Sequence, residues 1–471
     1  MGFFLNPNSD PMTTMPFDSG REIAADLDTP VSAFLKLSEL DPVFLLESVA
    51  GGERVGRYSF IGVGRRHEVT LEQGALTVDG STRSVDGDAL AALEQWLAGL
   101  KLSAPDLRRA PAGLVGYVGY EAAAWFERLP PAGAAPLPLP TAAFVVPKAL
   151  LAFDHVRSTL TCHPLSPDDD PMLQREIEHV LRTNAAAPPG PGASDEPIAS
   201  HSQEEFVGAV ERAQEHIRAG DAYQIVLSVR FSGESEADPF AVYRALRLLN
   251  PSPYLYYVRA GGAEIVGSSP EALARLQGRR ALLRPIAGTR PRGQTAEEDG
   301  ALAAELTGDA KENAEHTMLV DLARNDLGRV AAPGTVEVTA LKEIERYSHV
   351  MHLVSTVEGV LAPDAGQFDL FRAAFPAGTV TGAPKIRAME ILSELEGSAR
   401  GPYAGAVGYF GVDGGMDQAI AIRTIVFHDG RYAFQAGAGV VADSVPEREH
   451  AEVLSKGRAL ARALELAGGD L

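Results

Sequence analysis

The C-terminal part of the chain declares its first helix through the spacing of apolar residues. Phe206, Val210, Ala213 and Ile217 recur at helical spacing, Ser202 and Glu205 stand at capping-box separation, and Gly220 is placed to end the helix. Apolar runs then predict strands at Tyr223–Phe231, Tyr254–Arg259 and Ala281–Ile286. A long helical run is predicted over Glu297–Leu327, with Gly328 to stop it. Thr335–Val360 reads as extended, and Ala383–Leu395 as a helix with Pro384 in its first turn. Ala404–Val412, Gln418–His428 and Tyr432–Val441 read as strands, and Pro446–Ala467 as a closing helix. Strands mostly follow strands, so the predicted class is α+β.

The N-terminal part shows strand-like patches near Val43–Val49, Tyr58–Val63, Val115–Tyr120 and Leu150–Phe153. Between the parts lies Asn184–Pro197, NAAAPPGPGASDEP, whose prolines and small residues can neither bury a face nor sustain a ladder. The expected organisation is an N-terminal region over residues 1–183, a linker over 184–199 and a second domain over 200–471. One echo crosses that division, GLVGYVG at Gly113–Gly119 against GAVGYFG at Gly405–Gly411. Short Gly-rich strands converge readily, so chance is the simpler explanation, with related sheets as the alternative.

Composition narrows the classes of function. The 471 residues are 45% hydrophobic and 22% charged, the make-up of a soluble globular chain with room for about two to four compact units. Forty-two Lys and Arg against 63 Asp and Glu leave a formal net charge of −21. Such a field repels phosphate backbones and anionic lipid, so neither nucleic acid nor a membrane surface is an expected partner. A small anionic substrate stays open, because it answers to the local field of a pocket. The single cysteine, Cys162, excludes an internal disulfide and a multi-cysteine metal site, and is read as structural. The opening MGFFLNPNSDPM lacks the basic start and long apolar run of a signal peptide, Asn6 replaces the Ser or Thr expected in a myristoylation signal, and no apolar stretch approaches the ~20 residues of a membrane span. A cytoplasmic protein is expected.

Several motifs carry candidate chemistry. Glu312 and Glu315 lie three apart in KENAEH, as do Glu449 and Glu452 in EREHAE. That spacing puts both carboxylates of a pair on one helical face, where they repel unless a cation neutralises them, and Mg2+ is the natural candidate. Taken alone, each pair reads more simply as a solvated acidic face, with Glu452 and Lys456 an ordinary ion pair. GAGVVA at Gly437–Ala442 matches a dinucleotide fingerprint, but Pro446 interrupts the required helix and no later strand follows. Its glycines are read instead as permitting close backbone approach to a ligand. GTVTGAPK at Gly378–Lys385 lacks the ending of a P-loop. His352 sits in the apolar segment VMHLVS, either as a structural residue or as a proton donor near pH 7. Arg423 interrupts AIAIRTIVF, and buried there it needs an anionic partner from the protein or a ligand.

Taken in order, a longer series of segments resembles the chorismate-utilising enzymes, most closely the large aminase subunits of anthranilate synthases. They run from LLES at Leu45–Ser48 through NPSPY at Asn250–Tyr254, SSPE at Ser268–Glu271 and PIAGTRPRG at Pro285–Gly293. AEHTMLVDLARNDLGRV, YSHVMHLVSTVEG, GTVTGAPKIRAMEI, GPYAGAVGYF, AIAIRT, QAGAGVVADSVPEREHAE and Lys456 follow. The resemblance implies an α/β sandwich with large antiparallel sheets. It also implies two glutamate-bearing helices facing one another across Mg2+, with Glu315 and Glu452 as ligands and Glu312 and Glu449 in support. Gly288, Thr289, Tyr403, Arg423, the backbone of Gly437, Ala438 and Gly439, and Lys456 would line the chorismate site.

The implied reaction adds ammonia at C2 of the ring as the C4 hydroxyl leaves, then eliminates pyruvate to give anthranilate, the first committed step of tryptophan biosynthesis. Glu271 is the implied general acid, His352 is assigned to the elimination, and Thr379 lies nearby. Relatives that attack with water or a lysine amine commonly carry PIKGT; this chain has Ala287 in place of that lysine, which favours anthranilate synthase over the alternative, aminodeoxychorismate synthase component I. No cysteine nucleophile elbow is present, so ammonia would be free or come from a separate glutamine amidotransferase subunit. Ser48, Ser252, Pro253 and Tyr254, with Arg57, Tyr58 and Ser59 in support, match the family's tryptophan feedback site. Two readings of other classes remain: a dinucleotide-dependent oxidoreductase resting on GAGVVA, and a catalytically silent tryptophan sensor, disfavoured by the presence of Glu271, Glu315, His352 and Glu452.

Overall fold

A computed structural model describes residues 22–48, 56–103, 107, 110–166, 171–347 and 350–469. The reading of the opening MGFFLNPNSDPM, and the Ser348–His349 pair of YSHVMHL, lie outside them. Among the described residues 22 strands join into one hydrogen-bonded network whose pairings are all antiparallel. Followed strand to strand, it runs from Glu337–Arg346 through Val350–Val360, Arg280–Leu283, Ala272–Gln277, Met416–Ile420 and Ala406–Gly411. It continues through Gly113–Val118, Ala142–Asp154, Tyr58–Glu72 and Pro42–Glu47. It then passes through Tyr254–Ala260, Ala263–Ser269, Thr424–His428 and Arg431–Val440 to Gln224–Glu234, with the remaining seven short strands added along its edges. The strand-rich α+β expectation holds.

The sheet folds back on itself at two corners. Ala263–Ser269 continues through Pro270 and Glu271 into Ala272–Gln277, and Met416–Ile420 continues through Arg423 into Thr424–His428. Each chain thus leaves one arm of the sheet and joins the other. The corners are tied by Ile420 N–H to the Glu271 carbonyl (3.0 Å) and Ser268 N–H to the Arg423 carbonyl (3.1 Å). Arg423 takes a left-handed conformation, φ 51°, which costs a side-chain-bearing residue about 1 kcal/mol or more and breaks the ladder there. The single strand predicted over Gln418–His428 is therefore two.

Side chains fill the space between the arms and cover their outer faces. Tyr117, Val145, Tyr256, Val258, Ile265, Val407, Tyr409 and Val426 form the inner core. One outer face packs Phe206, Val210, Phe240, Leu246, Val453 and Leu460 of three helices onto Leu227, Val229 and Phe434. The other carries Leu90, Val320, Leu327, Phe368 and Phe371 against Phe144 and Phe410. Strands covered on both faces explain the continuous apolar runs in the sequence. Cys162 is buried in the first outer layer, where burial pushes its thiol up to about 12, in keeping with a structural role.

The closing helix is found over Pro446–Ala467, and the capped helix over Gln203–Ala219 with both capping-box bonds and Gly220 at φ 86°. The long run over Glu297–Leu327 is two helices, Ala296–Gly308 and Ala310–Gly328. Asp309 is extended (ψ 116°) and its side chain accepts from the N–H groups of Lys311 and Glu312, so a new helix starts there. The second one ends at Gly328, one residue past the predicted Leu327, with Arg329 as its cap. Ala281–Ile286 likewise divides into Arg280–Leu283 and Ile286–Pro291. The predicted strands of the N-terminal part are present, as Pro42–Glu47 and Gly113–Val118 and, much longer than expected, Tyr58–Glu72 and Ala142–Asp154, while its helices Pro30–Lys36, Ala89–Ala98 and Pro171–Thr183 carry no signal in the reading above. The two Gly-rich echoes lie side by side in the sheet, Gly113 opposite Gly411 and Val118 opposite Ala406. Strands from both sides of Asn184–Pro197 therefore share one sheet.

Candidate active site

A cavity of about 590 Å3 opens between the helices Ala310–Gly328 and Pro446–Ala467 and the two sheet corners. Glu271, Gly288, Thr289, Glu312, Glu315, His352, Thr379, Tyr403, Arg423, Gly437, Gly439, Glu449, Glu452 and Lys456 all line it. Every residue assigned to catalysis, substrate or metal from sequence is there except Ala438, whose side chain belongs to the helix-facing core, as alternation along Arg431–Val440 requires.

The acidic wall comes from both helices. Lys311 acts electrostatically on Glu449, so the two helices face each other across the cavity. Glu312 is raised above the usual carboxylate range by burial and then by repulsion from Glu315. Burial also raises Glu449, with Ser444 opposing and Glu452 adding to the effect. Glu315 Oε1 accepts from Gln224 Nε2 at 2.9 Å, Glu312 lies 3.5 Å from Arg290, and Glu452 pairs with Lys456 at 2.8 Å. A set of hard oxygen donors that repel one another suits a small dication. Among the described residues no three carboxylate, imidazole or thiol groups converge to hold a metal by themselves. A cation here would complete its shell with water or substrate oxygens, which is how Mg2+ is usually held.

The opposite wall supplies proton-transfer groups and cations. Glu271, at its corner, is buried, which pushes its carboxyl from 4.5 up to about 8, with Thr379 opposing the shift. Apart from its interaction with Glu271, the buried Thr379 hydroxyl makes no hydrogen bond among the described residues. His352 Nδ1 sits 3.1 Å from the Gly288 carbonyl and 3.1 Å from Thr289 Oγ1. A carbonyl can only accept, so Nδ1 carries the proton and Nε2 the lone pair in the neutral ring. Burial, with Arg423 adding to it and the Gly288 bond opposing, keeps the imidazole below its ordinary value. Held below its ordinary value, the ring can accept a proton at Nε2.

Arg423 is largely desolvated, and among the described residues its polar contact is Asn250 Oδ1 at 3.4 Å, with no carboxylate pairing it. An anionic partner must come from a ligand. Lys456 Nζ donates to the Gly437 carbonyl at 2.8 Å, fixing a second cation beside the glycine strand. A Cβ on Gly437 would stand 2.7 Å from the Tyr403 hydroxyl. Gly288, at φ +64°, interrupts its ladder between Ala287 and Thr289, and a Cβ there would meet Glu312 Oε2 at 2.9 Å. Ala287 also lines the cavity. Beneath the floor, Arg400 is buried against Glu396 and stacks on Tyr120 and Tyr403, holding the latter ring in place.

Gln224, Lys311, Gln435 and Arg290 belong to this site or brace it and were not singled out from sequence. Gln224 carried a usable signal, a polar residue opening the buried run QIVLSV, the same kind of interruption that drew attention to Arg423.

A second cavity, of about 660 Å3, lies across the sheet and is lined by Ser48, Arg57, Tyr58, Pro253, Tyr254, Arg275 and Asp417 among others. The Tyr254 hydroxyl donates to Asp417 (2.8 Å) and accepts from Arg275 (2.6 Å). Ser252 is not on its wall; with Pro253 it lines a smaller space of about 250 Å3 that also touches His352, Arg423 and Lys456. Ser59 is buried against His155 at 2.7 Å and reaches neither cavity.

The profile of the chorismate binding enzyme family matches residues 41–462, and the chain belongs to that family. Among relatives, anthranilate synthase component 1 of Thermus thermophilus is 49% identical over 95% of this chain and 97% of that protein. The component 1 of Streptomyces coelicolor is 45% identical over 95% and 88%. The crystal structure of anthranilate synthase component I from Streptococcus pneumoniae superposes with a TM-score of 0.77 at 35% identity, covering 94% of this chain and all of that one. A menaquinone-specific isochorismate synthase from Escherichia coli shares the fold, with a TM-score of 0.71 at 19% identity and 94% of each chain covered.

Proposed function

We propose that this chain is an aminase component of anthranilate synthase, converting chorismate and ammonia to anthranilate, pyruvate and water. The observation that carries the reading is the convergence of Glu271, His352, Thr379, Arg423, Lys456 and four glutamates on one cavity beside Ala287. Chorismate is a dianion, and Arg423, which lacks a protein carboxylate, and Lys456 give it cationic partners inside an acidic protein. Mg2+ bound by Glu315 and Glu452, with Glu312 and Glu449 in support, would supply electrostatic stabilisation of substrate charge.

In the first step the ammonia lone pair forms the C2–N bond, the ring double bond shifts, and the C4–O bond breaks. Hydroxide is a poor leaving group, so Glu271, protonated at neutral pH, gives it a proton and it leaves as water. Ammonia's surplus proton passes to solvent or base, and Glu271 is reprotonated before the next turnover. In the second step neutral His352 takes the C2 proton, its electrons complete the aromatic ring, and the C3–O bond breaks. The departing enolpyruvate takes up a proton to become pyruvate. Thr379 and the Gly437–Gly439 strand hold the substrate in register.

A glutamine amidotransferase subunit is the proposed ammonia source in the cell, with free ammonia sufficient for chemistry. L-tryptophan is the proposed inhibitor, bound in the second cavity by Ser48, Pro253 and Tyr254. This cavity takes Ser48 from residues 1–183 and Pro253 and Tyr254 from residues 200–471, so the proposed regulatory site lies at the junction of the two parts joined by 184–199, while the proposed catalytic residues all come from 200–471. A cytoplasmic location suits a chain whose one cysteine is a buried thiol; no described helix is long and apolar enough to cross a membrane. The test mixes the chain with chorismate, Mg2+ and an ammonium salt at mildly alkaline pH and follows anthranilate fluorescence. Anthranilate with equimolar pyruvate supports the reading, whereas an amino product that retains its enolpyruvyl group would move it to aminodeoxychorismate synthase.

A further inference from the structure

We propose that Gln224 is a positioning residue that holds Glu315 in the orientation its cation requires. The inference rests on the reading of Glu315 as a cation ligand. Gln224 opens the strand Gln224–Glu234 and is 4% exposed, with its amide inside the cavity wall. Nε2 donates to Glu315 Oε1 at 2.9 Å. The residue is held at both ends. Its backbone pairs with Ala383, and a Cβ on Gly439 would stand 2.7 Å from Nε2, so the glycine strand leaves just the space the amide occupies.

The four carboxylates are braced differently. Glu452 pairs with Lys456, both about half exposed, and Glu312 lies near Arg290. Those partners bring positive charge that competes with a bound cation. Gln224 brings a donor without charge. One N–H can occupy a single lone pair of Oε1, leaving Oε2 and the other Oε1 lone pair for the cation. A neutral donor thus fixes direction while the carboxylate keeps its full charge, the arrangement by which outer partners tune metal ligands.

The test compares Gln224→Met, which keeps the length and removes the donor, with the parent chain and Glu315→Gln. Mn2+ binding is read by electron paramagnetic resonance on the purified chain without chorismate, and the Mg2+ concentration for half-maximal ammonia-dependent turnover is read separately. Gln224→Met should weaken Mn2+ binding by about tenfold or more and raise the half-maximal Mg2+ concentration to match, with turnover largely restored at saturating Mg2+. A purely structural role would lower turnover at every Mg2+ concentration, and that outcome overturns the proposal. Unchanged Mn2+ affinity in Gln224→Met beside a clear loss in Glu315→Gln overturns Gln224 alone. Unchanged affinity in Glu315→Gln removes the cation reading together with the proposal. Gln224→Asn, with its amide one methylene short of Glu315, provides the same comparison in a polar variant should the methionine disturb folding.

Discussion

The two large cavities are nearly equal in volume, about 590 and 660 Å3, yet they treat charge in opposite ways. Around the second, charged groups are satisfied by the protein itself. Arg275 pairs with Asp417 at 3.0 Å, Arg57 with Asp154 at 2.7 Å, and Arg247 with the buried Glu47 at 2.9 Å. Around the first, Arg423 has no carboxylate among the described residues and the glutamates crowd one another. A cavity whose charges are already paired can take up a ligand and respond to it, but has little unsatisfied charge with which to drive chemistry. A cavity that leaves charge and hydrogen-bonding capacity uncompensated expends stability on binding and on the transition state.

The contrast breaks most visibly at the catalytic groups. Glu271→Gln should lower turnover by roughly 100- to 10,000-fold, since the amide cannot protonate the leaving hydroxyl. The same variant should melt higher above pH 8, by roughly 2–5 °C. The sign follows from linkage. The folded carboxyl titrates near 8 against 4.5 for the free group, so the fold favours its protonated form. That contribution is complete below 4.5 and is lost as pH rises through about 8, where the native chain must bury a charge and the glutamine variant does not. A Glu271→Gln chain that keeps its activity, or gains nothing in thermal stability at alkaline pH, would sink the acid assignment.

Glu452→Gln should cost about 100-fold or more in Mg2+-dependent turnover at fixed Mg2+ while the circular dichroism spectrum stays that of the parent. Undiminished turnover would remove Glu452 from the cation site. The pH profile of kcat/KM sharpens the picture further. Its alkaline limb should fall near pH 8 as Glu271 loses its proton, and its acid limb should lie below the ordinary histidine range because His352 is held below it. An alkaline limb that persists unchanged in a series of Glu271 variants would belong to another group.

Ser48→Ala is the smallest expected effect and probes the other cavity. The Ser48 hydroxyl has no partner among the described residues and lines that cavity, so its loss should weaken tryptophan inhibition by about 5- to 10-fold and leave uninhibited turnover within about twofold. Inhibition constants equal to those of the parent would detach Ser48 from the regulatory site.

Much of this arrangement is legible in the sequence because local physics writes it there. The capped helix Gln203–Ala219 has its Ser202 and Glu205, and the helix Pro446–Ala467 its opening proline. Motifs such as KENAEH and EREHAE mark their pairs by helical spacing. The division at Asp309 was missed because the run on either side is helical in composition, and only the cap bonds to Lys311 and Glu312 reveal the new start. The break at Arg423 within Gln418–His428 is invisible in the sequence because a left-handed arginine leaves no mark in composition.

What the sequence determined by itself is which segments become helices and strands, and which residue types are available for acid, base and cation binding. Only the tertiary structure decided that GLVGYVG and GAVGYFG pair with one another, that Ser252 lines a space with His352, Arg423 and Lys456, and that Glu271 and Arg423 line one cavity from two sheet corners. Those bring together residues far apart along the chain, set by how a long antiparallel sheet folds back around its core. The pKa of Glu271 belongs with them: a carboxyl in SSPE is ordinary until burial at a corner removes its water.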